Sequence, residues 1–180
     1  MKSKRVKPFS LPYYGTPGFL NSVRNSSQAR GISPTTFIIK KLINHLLLTI
    51  AYSCPINYWR VTLNRWRGVN IGKDVFIGLH VILDRTFPEL ITIEDGAQIT
   101  GGNHILTHSR PPEHFKGKLM SYAAPVRICR NSWLGINSII IPNVTIGEGS
   151  VVAAGALVDR NVPENCLAKG NPVSITEVFK

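Results

Sequence analysis

Residues 128–162 read ICRNSWLGINSIIIPNVTIGEGSVVAAGALVDRNV, and this stretch decides the fold. Every sixth residue in it is aliphatic: Ile128, Leu134, Ile140, Ile146, Val152 and Val158. An amphipathic helix repeats apolar residues at intervals of three and four, and a half-buried strand repeats them at intervals of two. An interval of six therefore predicts neither element alone. It predicts short strands joined by tight corners that return each inward side chain to an equivalent place.

The same interval continues upstream in two further blocks of three residues. The first block is Ile71, Ile77 and Leu83, and the second is Ile93, Ile99 and Ile105. Four blocks of three predict four turns of a three-sided solenoid, and we expect all twelve aliphatic side chains to point inward. Stacked turns bury a continuous column, so the ends of the column need caps. The wide gap between Ile105 and Ile128 predicts one inserted loop over about residues 109–127.

The composition fits a single packed domain with an asymmetric charge. A chain of 180 residues with 43% hydrophobic residues is long enough for one core of ordinary size. The N-terminal third carries the whole formal net charge of +11. Residues 1–70 have eleven basic residues and no acidic one, since the first acidic residue is Asp74, and residues 71–180 have ten basic and ten acidic residues. We divide the chain into a basic N-terminal segment over residues 1–67 with a helix over about 35–53, the solenoid over 68–175, and a tail over 176–180.

The cysteines and the N-terminus indicate the compartment. Cys54, Cys129 and Cys166 are far apart, odd in number and not spaced like zinc ligands, which predicts reduced thiols. Residues 1–30 contain no continuous apolar region of the kind that a secretory signal needs. We therefore expect a cytoplasmic protein, either free or at the inner face of the cytoplasmic membrane.

The N-terminal segment contains the apolar run FIIKKLINHLLLTIAYS at residues 37–53, followed by a stretch rich in Trp, Tyr and Arg. Two lysines within the run argue against a membrane span, which needs about 20 predominantly apolar residues. Two interpretations stay open for residues 37–67: helical packing on the solenoid, or peripheral contact with an anionic membrane surface. No nucleic-acid partner is predicted, because no DNA- or RNA-binding motif accompanies the basic residues.

Four segments resemble the hexapeptide-repeat acyltransferases: VNIGKDVFIG, PELITIEDGAQI, WLGINSIIIPNVTIGEGSVVAAGALV and AKGNP. Within that family, PELITI followed by ILTH is most similar to the bacterial O-acetyltransferases of polysaccharide and lipopolysaccharide assembly, next to the maltose and galactoside acetyltransferase group. The resemblance implies a left-handed parallel β-helix, acetyl-CoA as co-substrate without a metal, and a homotrimer with sites between adjacent subunits. The implied reaction transfers an acetyl group to a hydroxyl of a sugar in surface polysaccharide or lipopolysaccharide biosynthesis.

His108 is the candidate general base. An imidazole titrates near neutral pH in general, so it can accept the proton of an acceptor hydroxyl. His108 lies where the second turn gives way to the inserted loop, and it occupies the TH motif that carries the general base in the family. The maltose and galactoside group places its catalytic histidine two residues further along, where this sequence has Arg110. His114 in the loop is therefore an alternative base.

Two polar residues are candidates for binding the acceptor. Asp84 stands at the equivalent point one turn before the His108 strand, so it should lie close to His108. It could orient the imidazole, bind an acceptor hydroxyl or cap backbone amides at a corner. Asn103 occupies an inward position, where it either reaches the acceptor or satisfies buried backbone. A Glu in the loop of some relatives is replaced near Ser121, so the sequence leaves open whether a carboxylate pairs with His108.

The resemblance places the acetyl-CoA site along the last two turns. The residues that it implies are Trp133 and Gly135 beside the pantetheine arm, Ala153, Ala154 and Gly155 where that arm lies against the coil, and Lys169 near a coenzyme A phosphate. Glycine and alanine at such positions are also what ordinary corners of a solenoid need. Cys129 is not predicted to be a nucleophile, because it adjoins the inward Ile128 and no base accompanies it.

Two other functions stay open. The first is a γ-carbonic-anhydrase-like metal enzyme, since four histidines are clustered in sequence: His80, His104, His108 and His114. Three of them would have to converge from adjoining turns, and the GHxAxLHG-like pattern of that family is absent. The second is a non-catalytic β-helix scaffold attached to a membrane, which would not bind acetyl-CoA.

Overall fold

The computed structural model describes residues 7–13, 19–28 and 31–178. Parts of the predicted N-terminal segment and tail, namely residues 1–6, 14–18, 29–30 and 179–180, lie outside this description. The N-terminal segment contains three helices: α1 (Phe19–Gln28), α2 (Pro34–Ser53) and α3 (Asn57–Trp66). Of these, the sequence predicts α2 alone. None of the helices among the described residues is long and apolar enough to cross a membrane.

Local contacts explain where α2 begins and what α3 does. Ser33 caps α2, because its hydroxyl accepts a hydrogen bond from the amide of Thr36 at 3.1 Å. α3 packs on the first turn of the coil, where the Asn57 side chain donates to the Val75 carbonyl at 3.0 Å. Val61 of α3 belongs to the hydrophobic core of the coil. α3 is therefore the N-terminal cap that the stacked column requires.

The described residues form seventeen short strands. In chain order they are β1 (Phe9–Ser10), β2 (Asn70–Ile71), β3 (Phe76–Ile77), β4 (Ile82–Leu83), β5 (Ile91–Ile93), β6 (Gln98–Ile99), β7 (His104–Ile105), β8 (His108–Ser109), β9 (Tyr122–Ala123), β10 (Val126–Ile128), β11 (Trp133–Leu134), β12 (Ile139–Ile140), β13 (Thr145–Ile146), β14 (Val151–Val152), β15 (Leu157–Val158), β16 (Cys166–Lys169) and β17 (Ser174–Glu177). Parallel pairing gives three sheets: face 1 has the order β2-β5-β10-β13, face 2 has β3-β6-β11-β14-β16, and face 3 has β4-β7-β12-β15.

The register confirms the predicted phase of the solenoid. On face 1, Ile71 pairs with Ile93, Ile93 with Ile128, and Ile128 with Ile146. Faces 2 and 3 stack in the same way, so three columns of aliphatic side chains fill the interior. All twelve predicted positions are buried, and the most exposed of them, Ile71, is 8% exposed. The fold is thus a parallel β-helix of about four coils.

The inserted loop and the C-terminus contain strands that the sequence does not predict. The loop returns to the coil at β10, which begins at Val126. It starts with β8, which turns away from the coil and pairs antiparallel with β9, and β9 pairs antiparallel with β1. At the other end, β17 turns back and pairs antiparallel with β16. Residues 174–177 are therefore a strand and not the end of a coil followed by a tail.

Candidate active site

His108 and Asp84 meet at the edge where face 3 leads toward face 1. Asp84 follows β4 and His108 begins β8 shortly after β7, so the parallel pairing of β4 with β7 brings the two side chains together. The Nδ1 atom of His108 lies 2.7 Å from Oδ2 of Asp84. An ionised carboxylate can only accept a hydrogen bond, so Nδ1 carries the hydrogen and donates it.

The carboxylate of Asp84 is fully occupied by the protein. Oδ1 accepts hydrogen bonds from the amides of Thr86 at 2.7 Å and Phe87 at 3.1 Å, and Oδ2 accepts one from the amide of Thr107 at 2.8 Å besides that from His108. The residue is 1% exposed. These contacts favour the alternative in which Asp84 orients the imidazole over the predicted contact of Asp84 with the acceptor. The place of Asp84 is that of a positioning residue for His108.

The negative charge of Asp84 is stabilised in spite of burial. Burial alone would raise the pKa of Asp84, but the hydrogen bonds from the His108 ring and from the amides of Thr107 and Thr86 outweigh it and hold that pKa well below its ordinary value. The carboxylate is ionised at neutral pH and favours the tautomer of His108 with its hydrogen on Nδ1. The other ring nitrogen, Nε2, then carries the lone pair that a general base needs.

Aromatic packing fixes the His108 ring on a further side. The Phe87 ring lies edge-on with its centroid 5.7 Å from that of the imidazole, and the Phe9 ring packs against Phe87 at 5.8 Å. The His108 side chain is nevertheless 27% exposed. Among the described residues, none hydrogen-bonds to Nε2. This nitrogen can therefore meet a ligand that arrives from solvent.

A buried arginine holds the turn that carries Asp84. Arg67, the residue after α3, donates from one terminal nitrogen to the carbonyls of Leu83 at 2.9 Å and Asp84 at 2.7 Å. Its Nε donates to Oδ1 of Asn44 in α2 at 2.7 Å, and Asn44 donates to the Arg85 carbonyl at 2.6 Å. Burial lowers the pKa of Arg67 to about 10, so the guanidinium keeps its charge at neutral pH. The helical segment thus clamps the backbone on both sides of Asp84.

Two other loop residues bear on the choice of base: Arg110 stands at the position of the catalytic histidine in the maltose and galactoside group, and His114 is the alternative base. Their surroundings differ from those of His108. The Nε atom of Arg110 donates to the carbonyl of Pro12 at 2.9 Å, which ties the N-terminal strand to the loop. His114 is exposed, and its ring packs on Phe115 with centroids 4.3 Å apart. Of the histidines in the described part of the chain, His108 is the one that pairs with a carboxylate.

Asn103 lies inside the coil and not at the acceptor site. Its side chain is fully buried, and its Nδ2 donates to the Thr100 carbonyl at 2.7 Å. Its Oδ1 accepts from the amide of Ser138 at 2.9 Å and from the hydroxyl of the same residue. Asn103 thus satisfies polar groups between two stacked turns. This arrangement favours that alternative for an inward position over the predicted contact with the acceptor.

All six residues predicted to bind acetyl-CoA lie on face 2 or at its corner with face 3, and five of them are not buried. Trp133 in β11 is 51% exposed, and Lys169 at the end of β16 is exposed on the same face. Ala153, Ala154 and Gly155 form the corner after β14, where a Cβ added to Gly155 would meet open space. Together they leave an accessible surface along which an extended chain can lie.

Gly135 belongs to the stacking of the turns. It is buried, and a Cβ added there would lie 2.6 Å from the amide nitrogen of Ala154 and 2.8 Å from the carbonyl oxygen of Val152. No side chain fits between the two turns at this position. The missing side chain at Gly135 lets one turn approach the next, which is the need of an ordinary solenoid corner and is favoured over the predicted contact with acetyl-CoA.

An open pocket of about 420 Å³ lies at the same corner between faces 2 and 3, nearer the N-terminal end of the coil. It is lined by Tyr52 of α2 and by residues of three successive turns, which include Leu79, Gly101 and Ile136. His108 lies at the opposite edge of face 3, roughly 15 to 20 Å away at about 3.3 Å per residue. Within one chain, the accessible corner and His108 thus lie at opposite edges of face 3.

The sequence raises two other chemistries, a metal site and a cysteine nucleophile. Within the described part of the chain, no three His, Cys, Asp or Glu side chains are placed so that they could hold one metal ion. His80 instead packs against Tyr52 with ring centroids 4.8 Å apart, and His104 points outward from β7. Burial raises the pKa of the Cys129 thiol, which disfavours the thiolate that a nucleophile requires.

Known proteins resemble this chain in sequence. The bacterial transferase hexapeptide family (six repeats) matches residues 125–160. "Putative acetyltransferase YvoF" of Bacillus subtilis (strain 168) is 31% identical over 143 residues, which cover 78% of this chain and 79% of the relative. The chain belongs to the hexapeptide-repeat acetyltransferases. A "Putative acetyltransferase" of Schizosaccharomyces pombe is 36% identical to this acetyltransferase over 107 residues, or 58% of the chain, and the chain spans 50% of the length of that relative.

Solved structures show that the acetyltransferase has the left-handed β-helix of its family. A hexapeptide-repeat acetyltransferase of Vibrio cholerae O1 biovar eltor, solved with acetyl-coenzyme A, matches with a TM-score of 0.66 at 23% identity, covering 81% of this chain and 90% of that one. The polySia-specific acetyltransferase NeuO matches with a TM-score of 0.52 at 28% identity, covering 62% of this chain and 49% of that one. The predicted fold and family are confirmed.

Sequence reasoning missed the residues that support Asp84 in this acetyltransferase. Arg67 and Asn44 come from the N-terminal helical segment, and Phe87 comes from the short insertion after β4. The available signal was weak: Asn44 interrupts an apolar run, and Arg67 ends a stretch rich in basic and aromatic residues. Neither signal tells which backbone groups these side chains reach, because that depends on how the helices pack on the coil.

Proposed function

We propose that this acetyltransferase transfers the acetyl group of acetyl-CoA to a hydroxyl of a sugar in surface polysaccharide or lipopolysaccharide biosynthesis, with His108 as the general base. The observation that carries the proposal is the hydrogen bond of 2.7 Å between Nδ1 of a partly exposed His108 and a buried, ionised Asp84. Membership of the family supports acetyl transfer. The polySia specificity of NeuO supports a glycan as the acceptor.

In the proposed reaction, Nε2 of His108 accepts the proton of the acceptor hydroxyl while the hydroxyl oxygen attacks the thioester carbonyl carbon. The tetrahedral intermediate then collapses, the bond between carbon and sulfur breaks, and the sulfur of coenzyme A takes the proton from the imidazolium. Asp84 stays ionised and stabilises the positive charge that His108 carries between the two steps. The base is regenerated in its starting tautomer, since Nδ1 keeps its hydrogen.

We assign the acetyl-CoA donor to the exposed surface of face 2 and its corner with face 3. The small side chains of Ala154 and Gly155 permit close approach of the pantetheine arm, and Trp133 offers an apolar surface beside it. Lys169 can pair with a coenzyme A phosphate, because its ammonium group is exposed at the end of the same face. Ala153 completes the corner next to Ala154.

A homotrimer with sites between adjacent subunits is part of the proposal. In one chain the donor surface and His108 lie at opposite edges of face 3, so a neighbouring copy has to bring a donor surface to each histidine. Exposed apolar residues on faces 2 and 3 and the corner between them, Phe76, Ile136 and Ile139, support a contact between copies. The site would then be completed by two chains.

The cytoplasm is the proposed location of the enzyme. Cys54, Cys129 and Cys166 are free thiols in the structure. Free thiols persist in compartments that glutathione and thioredoxin keep reducing.

The His108→Ala substitution tests the role of the base. The variant should bind acetyl-CoA with nearly unchanged affinity, because the base acts on the acceptor and contributes mainly in the transition state. Its kcat should fall by about 10² to 10⁴-fold, the usual range for a lost general base. Calorimetric titration with acetyl-CoA and steady-state kinetics with the glycan acceptor measure the two quantities separately.

His114→Ala is the matched control, since His114 is exposed in the loop without a carboxylate partner among the described residues. It should keep most of the wild-type kcat. An inactive His114→Ala variant beside a fully active His108→Ala variant would place the base on the loop. A wild-type protein that does not bind acetyl-CoA would favour the scaffold function instead.

A further inference from the structure

Helix α2 exposes a continuous row of aliphatic side chains, which we call the apolar face of α2. It consists of Ile39, Leu42, Ile43, Leu46 and Ile50, which are between 48% and 63% exposed. Their spacing of three, four, seven and eleven residues from the first places all five on one side of the helix. The other side packs on the protein, where Leu48 and Ala51 are buried. The row is therefore an apolar surface on a helix that is already anchored.

The N-terminal segment that contains the apolar face carries basic residues and no acidic residue. Lys40 and Lys41 are exposed on the same helix, and the sequence contains no acidic residue before Asp74. The neighbouring helix α3 exposes Trp59 at 45% and Trp66 at 65%. Basic residues beside an aliphatic face, with indole rings nearby, are the combination that binds the boundary between lipid headgroups and acyl chains.

We propose that the apolar face of α2 inserts into the surface of an anionic lipid bilayer, so that the enzyme works as a peripheral membrane protein. The charge argues for lipid rather than for a second copy of the chain on this face. Two copies that met through α2 would bring their lysines together, and no acidic side chain of the N-terminal segment would neutralise them. Anionic headgroups complement the charge, and the acyl region accepts the aliphatic side chains.

Vesicle binding by the full chain tests the proposal. The protein should bind vesicles of phosphatidylcholine with phosphatidylglycerol, bind vesicles of phosphatidylcholine alone much less, and be released from the anionic vesicles as the salt concentration rises. The double variant Leu42→Glu with Leu46→Glu removes two side chains of the apolar face. Its partition coefficient onto anionic vesicles should fall by about tenfold or more, because two inserted aliphatic groups are lost and two negative charges are added.

The double variant Leu119→Glu with Met120→Glu is the matched control. Both residues lie in the inserted loop and are 51% and 76% exposed, so this variant makes the same change in net charge on another surface. It should keep most of the vesicle binding, which separates a loss at the apolar face from a general effect of charge. Both double variants replace exposed side chains, and their circular dichroism should match that of the wild type.

Two results would overturn the membrane contact. The first is equal vesicle binding by the wild type and by the Leu42→Glu with Leu46→Glu variant. The second is a wild type that does not bind anionic vesicles. If the Leu42→Glu with Leu46→Glu variant then sediments with a lower mass than the wild type, another copy of the chain covers the apolar face. Neither result depends on acetyl transfer, so the proposal can fail while the proposed function holds.

Discussion

At the scale of single residues, the proposed mechanism depends on how Asp84 is held. The carboxylate is buried and receives hydrogen bonds from three backbone amides and one imidazole, so its charge persists where burial opposes it. The same contacts fix one tautomer of His108 and leave Nε2 accessible. A pair of this kind prepares the base before the acceptor arrives, which lowers the reorganisation needed in the transition state.

The low pKa of Asp84 makes a prediction for stability. The pKa of Asp84 in the folded protein lies below the value of about 3.9 in the unfolded chain. The ionised carboxylate therefore stabilises the folded protein fully above about pH 4, and this contribution is lost as the pH falls through the lower folded pKa. Asp84→Asn should therefore lower the free energy of unfolding by about 2 to 3 kcal/mol at neutral pH. The difference from the wild type should shrink steadily below about pH 4, as urea unfolding at a series of pH values would measure.

Asp74→Asn is the matched control for this measurement. Asp74 is exposed, so its substitution should change the free energy of unfolding little at any pH. A deficit of Asp84→Asn that stayed constant down to acid pH would contradict the prediction. It would mean that the shape of the side chain, and not its charge, stabilises the fold.

At the scale of elements, the strands depend entirely on their neighbours. Most of them contain two residues, far too few for a strand that is stable by itself. Each inward aliphatic side chain packs between its equivalents in the turns above and below, so the stability belongs to the columns. The helices act on these columns from outside: α3 closes the first turn, and Arg67 together with Asn44 holds the turn after β4.

Adjacent positions of β12 allow a direct test of the columns. Ile140 is fully buried, so Ile140→Asp places an unpaired charge in the core and should destabilise the protein by more than about 4 kcal/mol, which abolishes soluble folded protein. Ile139 is 38% exposed in the single chain, so Ile139→Asp should still give soluble, folded protein. Its effect should appear as weaker association in sedimentation velocity, because Ile139 belongs to the proposed contact between copies. Soluble yield and thermal melting are the measurements. A folded Ile140→Asp variant with unchanged melting would contradict the inward phase.

At the scale of the whole molecule, the proposed site needs two chains. His108→Ala removes the base and leaves the donor surface intact, whereas Ala154→Trp blocks the donor surface and leaves the base intact. Each variant alone should be nearly inactive. Random mixed trimers of the two in equal amounts should recover activity at about one quarter of the sites, where an intact histidine faces an intact donor surface of its neighbour.

Co-expression of the two variants and purification of the mixed assembly provide the measurement, with sedimentation velocity to establish a trimer. Activity no higher than the sum of the two separate variants would contradict a site shared between subunits. It would indicate that each chain brings its own donor surface to its own histidine.

The sequence by itself determined the coil and the edge at which the proposed site lies. All twelve inward positions, the break for the inserted loop and the place of His108 follow from the interval of six. The physical reason is that a solenoid is nearly one-dimensional: each turn contacts the turns next to it, so a local repeat of aliphatic residues specifies the burial pattern. The resemblance to the family rests on the same repeated segments.

Only the tertiary structure decided the roles of the polar residues. Asp84 had three open alternatives, and its position beside His108 depends on the stacking of two turns and on the clamp by Arg67 and Asn44. The partners of the inward Asn103, Thr100 and Ser138, appear only in the structure, and α1 and α3 were not foreseen. The hydrogen bonds of the clamp join segments that are 16 or more residues apart, as between Arg67 and Leu83. No periodic signal in the sequence encodes such contacts, because they form only after the helices have packed on the coil.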